Sequence, residues 1–236
     1  MFAAVVLFST WIILGIPAAL IGIPWTLISR DISLLYRMAM AIVRSGLRLA
    51  RIRVQATWEQ PLDPAQCCIF LSNHVSNLDP PVLFPLLPGR AAGFIKRSLT
   101  KIPILGYGMK LAQFIPVDRD GNVEAAAASV ENARQVLASG VHIVSFVEGT
   151  RSRDGRLQPF KKGPFYLAME SGAPVVPVSL YGTESMMKKG SVRIFPGTAH
   201  VVFHAPLLPR NYSSREELME ATRTAIAFGL PEWMRG

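Results

Sequence analysis

The sequence predicts an α/β protein with a single central mixed β-sheet flanked by helices. A hydrophobic and amphipathic, membrane-associated helical segment precedes the sheet. Three observations predict this class. The 236 residues suffice for one α/β domain with a sizeable core. Short β-rich runs alternate with helical patterns. Hydrophobic residues make up 50% of the chain and charged residues 17%, which excludes a disordered chain.

The N-terminal segment has no charged side chain before Arg30. About 20 helical residues suffice to cross the hydrocarbon core of a bilayer, and this stretch is longer. Pro17 and Pro24 indicate a kink, or a helix that enters the bilayer and turns back. No Lys or Arg precedes the stretch, which argues against a cleaved signal peptide. The arginines that follow it predict that the rest of the chain lies on the cytoplasmic side of the inner membrane.

A second helix is predicted from the spacing of arginines after Arg30. Arg37, Arg44, Arg48 and Arg51 fall on one side of a helix. Together with a net charge of +9, this pattern favours contact with an anionic membrane surface, although a solvent-facing arginine side is the simpler alternative. We therefore divide the chain into membrane-associated helices over 1–53 and a second domain over 54–236.

The remaining elements follow from hydrophobic periodicity and turn residues. The predicted strands are Cys67–Ser72, Gly93–Ile95, His142–Val147, Val175–Leu180, Ser191–Phe195 and Val201–His204. The predicted helices are Pro81–Leu86, Val123–Ala138, Phe165–Glu170 and Arg215–Phe228.

The first candidate site residues lie in the motif NHVSNLD over residues 73–79, directly after a predicted strand. His74 and Asp79 can meet across a short turn, where the carboxylate would orient the imidazole and leave its other nitrogen free to take a proton. The chain has no G-x-S-x-G motif for an enzyme nucleophile, so the proton can come from a substrate hydroxyl. A structural histidine and a helix cap at Asp79 are the alternative interpretation.

Cationic loops form the second candidate element. FVEGTRS over residues 146–152 follows another predicted strand, where Gly149 permits close backbone approach and Arg151 suits a phosphate. A stretch from Lys96 to Arg119 adds further cations. Two such loops near a histidine would form an anion pocket beside a base. An ion pair between Glu148 and Arg151 in a solvated loop remains the alternative.

These blocks resemble the glycerolipid acyltransferases, in particular the 1-acyl-glycerol-3-phosphate acyltransferases. Four motifs occur in order: NHVSNLD, IPILG through PVDR, FVEGTRS and APVVPVSL. The resemblance implies that His74 is the base and Asp79 its partner. It also implies acceptor contacts at six further residues, namely Lys96, Arg119, Glu148, Gly149, Thr150 and Arg151.

The resemblance further implies the reaction. A fatty acyl group would pass from acyl-CoA or acyl carrier protein to the 2-hydroxyl of 1-acyl-glycerol-3-phosphate, a lysophosphatidic acid, and give phosphatidic acid for phospholipid biosynthesis. No cofactor, metal or nucleic acid is expected to take part.

Three alternatives stay open at this point. The same chemistry could act on glycerol-3-phosphate, a lysophospholipid or a lyso-aminolipid. His200 and His204 are four residues apart and could belong to a metal hydrolase, although no complete zinc-ligand spacing is present. A basic, non-enzymatic binder of membranes or nucleic acid is the third, although no nucleic-acid-binding motif is visible.

Overall fold

The computed structural model describes residues 2–117 and 123–236, and in it helices and strands alternate along the chain. The helices are α1 Phe2–Ser29, α2 Ser33–Leu49, α3 Asp79–Leu83, α4 Leu105–Leu111, α5 Val123–Ala138, α6 Gly163–Ser171, α7 Thr183–Met186 and α8 Arg215–Gly229. The strands are β1 Ile52–Trp58, β2 Ile69–Ser72, β3 Ala91–Lys96, β4 Ile115–Val117, β5 His142–Phe146, β6 Val175–Tyr181 and β7 Gly197–Phe203. Short 3-10 helices occur at Phe84–Leu86, Arg97–Lys101, Pro209–Asn211 and Glu232–Met234.

The strands form one mixed seven-stranded sheet in the order β1-β7-β6-β2-β5-β3-β4, which confirms the predicted fold class. All neighbouring pairs are parallel except β6 with β7. Consequently β2, β5, β6 and β3 bring their carboxyl ends to the same edge of the sheet. In parallel sheets this edge is where ligands usually bind.

The core lies on both faces of the sheet, as expected for parallel strands. Ile69, Phe70 and Leu71 of β2 are all fully buried. Phe70 belongs to the cluster that packs against α2 and α3, whereas Ile69 and Leu71 belong to the cluster that packs against α5, α6 and α8. Since successive side chains of a strand point to opposite faces, β2 joins the two halves of the core.

An antiparallel hairpin of α1 and α2 covers one face of the sheet. A Cβ on Gly46 of α2 would lie 2.3 Å from the indole nitrogen of Trp11, so glycine is needed where the two helices touch. Leu7 of α1 and Leu47 of α2 join the core cluster of the sheet. The hairpin is therefore packed onto the domain through the amino-terminal half of α1.

The rest of α1 presents apolar side chains outward, among them Ile12, Ile13, Leu20 and Ile28. The helix remains continuous over 28 residues despite its two internal prolines, and the chain turns back only after Ser29. By length and composition it is the one helix in the described residues that could cross a membrane. An exposed apolar surface of this size favours membrane association.

The strand predicted at Ser191–Phe195 is wrong. The segment is irregular, with Ile194 buried in the core, and the strand begins only at Gly197. Pro196 explains the difference, because it has no amide hydrogen to donate to a neighbouring strand. Four elements were not predicted, namely β1, α4, β4 and α7. The predicted helix at Pro81–Leu86 is observed as α3 followed by a 3-10 turn. The helix predicted at Val123–Ala138 matches α5, and the bounds of the other predicted elements differ from the observed ones by at most four residues.

Candidate active site

The turn after β2 holds His74 and Asp79 together at the carboxyl edge of the sheet. The Nδ1 atom of His74 lies 2.7 Å from Oδ2 of Asp79. The same oxygen accepts hydrogen bonds from the backbone amides of Val75 and Ser76, at 2.7 and 2.8 Å. The hydroxyl of Thr183 donates to the other oxygen, Oδ1. Asp79 therefore acts as a cap for the turn and as the partner of the histidine at once.

Asp79 is fully buried, yet four donors solvate its carboxylate. Such charge-assisted hydrogen bonds offset the cost of burying a charge. Because an ionised carboxylate only accepts hydrogen bonds, Nδ1 of His74 carries a hydrogen, and Nε2 of the neutral ring carries the free lone pair. The pair thus fixes the tautomer that a general base requires.

The imidazole of His74 is partly accessible, since 11% of its side chain is exposed. The ring of Phe146, the last residue of β5, stacks on it with centroids 4.2 Å apart and planes inclined by 24°. No residue in the described part of the chain hydrogen-bonds Nε2. The ring is therefore held on one side and remains available to a substrate.

The backbone of His74 is fixed from both ends by the loop that follows β5. Its amide donates to Oε1 of Glu148 at 2.9 Å, and its carbonyl accepts from the amide of Ser152 at 2.8 Å. Glu148 is only 2% exposed. These two bonds set the position of the histidine relative to the cationic loop, which carries Arg151 beside Ser152.

Two further side chains tie the turn to the neighbouring part of the sheet. The amide group of Asn73 donates to the carbonyl of Leu180 and accepts from its backbone amide, both at 2.8 Å. The hydroxyl of Ser76 donates to the carbonyl of Met187 at 2.8 Å. Both contacts reach across more than 100 residues of sequence, so the turn is rigid only in the completed fold.

The other predicted site residues lie around this turn. Gly149 is half-buried with a φ of +69°, a conformation that glycine adopts without strain. Thr150 is exposed, Arg151 half-buried, and Lys96 exposed at the end of β3, two strands away from β2. Arg119 lies outside the described residues. The acceptor contacts of these residues and of Glu148 stay predictions.

The alternative ion pair between Glu148 and Arg151 is not formed within the described residues. Instead, Glu148 bonds the backbone of His74, and the carbonyl of Arg151 accepts from Nζ of Lys189 at 2.6 Å. The guanidinium of Arg151 consequently has no carboxylate in this part of the chain to neutralise it. It remains available to an anion at the edge of the sheet.

Burial, with a smaller contribution from the charge of Asp79, raises the pKa of the Glu148 carboxyl to about 7, although hydrogen bonds to its oxygens lower it. In the unfolded chain, Glu148 loses its proton at its ordinary pKa of about 4.5, whereas in the folded protein it keeps the proton up to about pH 7. We expect the free energy of unfolding to fall by up to about 3 kcal/mol as the pH rises from about 4.5 to about 7. Glu148→Gln should flatten this decline, as measured by denaturant unfolding of detergent-solubilised protein.

Glu170→Gln is the matched control for this prediction, because Glu170 is exposed on α6. It should leave the pH dependence of stability as in the wild type. Parallel stability curves for the wild type and Glu148→Gln between these two pH values would contradict the prediction.

His200 and His204, the two histidines of the metal-hydrolase alternative, each contact other side chains of the sheet region. Nδ1 of His204 lies 2.8 Å from Oε1 of Glu59, and Nε2 lies 2.7 Å from the hydroxyl of Ser179. That hydroxyl donates to the carbonyl of Ile226, and a Cβ on Gly229 would lie 2.4 Å from it. His200 stacks on Tyr181. The described residues contain no group of three His, Cys, Asp or Glu side chains placed to hold a metal.

Comparison with known proteins points in one direction. The acyltransferase family profile matches residues 53–181. A chloroplastic 1-acyl-sn-glycerol-3-phosphate acyltransferase of Brassica napus, BAT2, is 36% identical over 163 residues, or 68% of this chain and 45% of the relative. The human 1-acyl-sn-glycerol-3-phosphate acyltransferase alpha is 33% identical over 150 residues, which are 64% of this chain and 53% of the relative. The chain thus spans about half the length of these curated relatives.

A solved structure covers more of the chain. The crystal structure of the 1-acyl-sn-glycerophosphate (LPA) acyltransferase PlsC from Thermotoga maritima superposes with a TM-score of 0.78 and 25% identity. The match covers 97% of this chain and 93% of that one. It therefore includes the helical hairpin as well as the sheet.

Proposed function

This chain belongs to the acyltransferase family, and we propose that it transfers a fatty acyl group from a thioester to the 2-hydroxyl of 1-acyl-glycerol-3-phosphate. The product is phosphatidic acid, which serves phospholipid biosynthesis. The observation that carries the proposal is the contact of His74 with the buried, fully hydrogen-bonded carboxylate of Asp79. The names of the relatives and of the structural neighbour support the choice of acceptor.

In the proposed mechanism, Nε2 of His74 takes the proton of the acceptor hydroxyl as its oxygen attacks the thioester carbonyl. The carbon–sulfur bond breaks when the tetrahedral intermediate collapses, and the imidazolium returns the proton to the leaving thiolate. Asp79 stabilises the imidazolium through Nδ1 without taking its proton. The route uses no cofactor or metal. General-base help contributes about 10²–10⁴-fold, and the orientation of the two substrates contributes more.

The phosphate of the acceptor binds on the β5 and β3 side of His74 in this proposal. Arg151 follows β5, and its guanidinium suits a phosphate because it donates two parallel hydrogen bonds. Lys96 at the end of β3 adds a second positive charge at the same edge. Glu148 acts as a positioning residue through the amide of His74.

The location of the chemistry follows from the apolar hairpin. We propose that α1 and α2 associate with the inner membrane from its cytoplasmic side. Lysophosphatidic acid then reaches His74 from the bilayer, and acyl-CoA or acyl carrier protein reaches it from the cytoplasm. This arrangement suits acyl chains, which prefer hydrocarbon to water.

Arg151→Ala should raise the KM for lysophosphatidic acid by about tenfold or more, since a hydrogen bond between charged groups is worth about 1.5–3 kcal/mol. The measurement is the steady-state KM for the acceptor at a saturating concentration of acyl donor. Arg153→Ala, an exposed neighbour in the same loop, is the control and should leave this KM near the wild-type value. An unchanged KM in Arg151→Ala would remove Arg151 from the acceptor site.

The acceptor itself is tested with purified protein, labelled acyl-CoA and a panel of lyso-acceptors. We expect the highest kcat/KM with 1-acyl-glycerol-3-phosphate and lower values with glycerol-3-phosphate, other lysophospholipids and lyso-aminolipids. A higher kcat/KM with one of these other acceptors would support the acyl-transfer reaction but show that the chain prefers a different acceptor. Absence of transfer to every acceptor would overturn the proposed function.

A further inference from the structure

A cavity of about 970 Å³ opens between the carboxyl end of α2, the start of β1 and the turn after α3. Four arginines line it, and they are Arg44, Arg48, Arg51 and Arg53. Its walls also include apolar side chains, among them Leu47, Val82 and Leu86, and no acidic residue from the described part of the chain. A space of this size and composition fits a ligand that combines anionic groups with an apolar or aromatic part.

The charges of these arginines are not balanced by the described part of the protein. Arg44 donates to the carbonyl of Pro85, whereas Arg48, Arg51 and Arg53 are exposed and have no carboxylate partner there. The negative end of the α2 dipole favours a cation such as Arg48 in the last turn, but that effect fades within one turn. It does not explain four guanidinium groups around one space. Their mutual repulsion is relieved by an anion, above all by phosphate.

The cavity shares two walls with the His74–Asp79 pair. Val82 lies one helical turn after Asp79 in α3. On the other side, Thr198 lines the cavity, and its carbonyl abuts Gly182, where a Cβ would lie only 2.3 Å away. Gly182 precedes Thr183, the residue that donates to Asp79. A ligand in the cavity therefore lies beside the elements that hold the catalytic pair.

The sheet order places this cavity opposite the proposed acceptor site. His74 follows the central strand β2, while Arg151 and Lys96 follow β5 and β3 on one side of it. The cavity lies at β1 and β7 on the other side. Since β7 is antiparallel to β6, its first residues lie at the same edge of the sheet as His74. Two groups of cationic residues thus lie on either side of one imidazole, an arrangement that suits two phosphorylated substrates.

We infer that the arginine-lined cavity binds the phosphate groups and adenosine of coenzyme A, and so holds the acyl donor while its pantetheine arm reaches towards His74. The inference rests on the proposed function, because it assigns the second substrate of that reaction. The phosphates pair with the guanidinium groups, and the adenine packs against the apolar wall.

The test is direct binding of coenzyme A to the full chain by titration calorimetry, with no acyl transfer required. Arg48→Gln and Arg53→Gln should each weaken the Kd by about tenfold, the usual effect of losing a hydrogen bond between charged groups. Arg37→Gln makes the same charge change on α2 outside the cavity and should leave the Kd unchanged. Arg53→Lys keeps the charge and should show a smaller loss. Thermal unfolding verifies that each variant is folded.

Two further arms identify the source of the phosphate. The wild type should bind 3′-dephospho-coenzyme A more weakly than coenzyme A, and Arg48→Gln/Arg53→Gln should discriminate less between the two. The double variant should also raise the KM for acyl-CoA and leave the KM for the lyso-acceptor unchanged. A Kd for coenzyme A that the double variant does not alter would overturn the inference. So would a loss confined to binding of phosphatidylglycerol vesicles, or to the KM of the acceptor.

Failure of the inference and failure of the proposed function give different results. If the cavity is wrongly assigned, the wild type still transfers acyl groups and the arginine variants keep the wild-type Kd. If the function is wrong, the wild type transfers no acyl group to any acceptor, whatever its affinity for coenzyme A.

Discussion

The kcat of His74→Ala for acyl transfer should be about 10²–10⁴-fold lower than that of the wild type, because removal of the imidazole leaves the acceptor hydroxyl without a base. The variant loses the contact with Asp79 and the stacking on Phe146, while three of the four donors to Asp79 remain. The backbone contacts of residue 74 with Glu148 and Ser152 persist in the variant. The measurement is the initial rate of phosphatidic acid formation from labelled acyl-CoA.

Two controls accompany this prediction. His74→Ala should still unfold cooperatively and associate with membranes, which separates a catalytic effect from unfolding. His200→Gln removes a histidine of β7 that stacks on Tyr181, and it should retain most of the activity. Turnover of His74→Ala at the wild-type rate would end the proposed mechanism.

Asp79→Asn should reduce kcat by up to about 10⁴-fold, the loss seen when the buried carboxylate of a catalytic triad becomes an amide. The asparagine oxygen can take the place of Oδ2 and still accept from His74 and from the amides of Val75 and Ser76. Its NH₂ group then replaces Oδ1 and faces the hydroxyl of Thr183. The neutral amide no longer supplies the negative charge that stabilises the imidazolium of His74.

The matched control for Asp79→Asn is Thr183→Val, which removes one hydrogen bond to the same carboxylate and keeps its charge. It should reduce kcat far less than Asp79→Asn does, because the carboxylate still accepts from His74. The pH dependence of kcat/KM separates a positioning effect of Thr183 from a structural one. Equal losses in the two variants would show that the charge of Asp79 is not the cause.

The sequence was sufficient to predict most of the core strands and the contact between His74 and Asp79, because both are encoded locally. Cys67–Ser72 contains an apolar run that predicts a buried strand, and Asp79 meets His74 within one turn of the chain. Thr183 was not predicted, since its contact with Asp79 spans 104 residues and depends on the pairing of β6 with β2. Asn73 is the first residue of the motif NHVSNLD, but its hydrogen bond to Leu180 depends on the same pairing of strands.

The arginines of α2 show what helical spacing alone does not predict. Their spacing predicts one basic side of a helix, and the structure confirms the helix. The spacing does not reveal that Arg44, Arg48 and Arg51 meet Arg53 of β1 around a cavity while Arg37 stays outside it. That arrangement follows from the parallel pairing of Ile52 with Gly197, which no local pattern encodes.

Direct transfer, with the acceptor hydroxyl as the nucleophile, is the claim on which the mechanism depends. Its most direct test is to mix the purified protein with acyl-CoA alone, quench within one turnover, and measure both the intact protein mass and the thiol released. The mechanism predicts an unmodified protein and no burst of free coenzyme A until lysophosphatidic acid is added. A stoichiometric burst with an acyl group bound to the protein would contradict it, since the thioester would then react with a residue of the chain first.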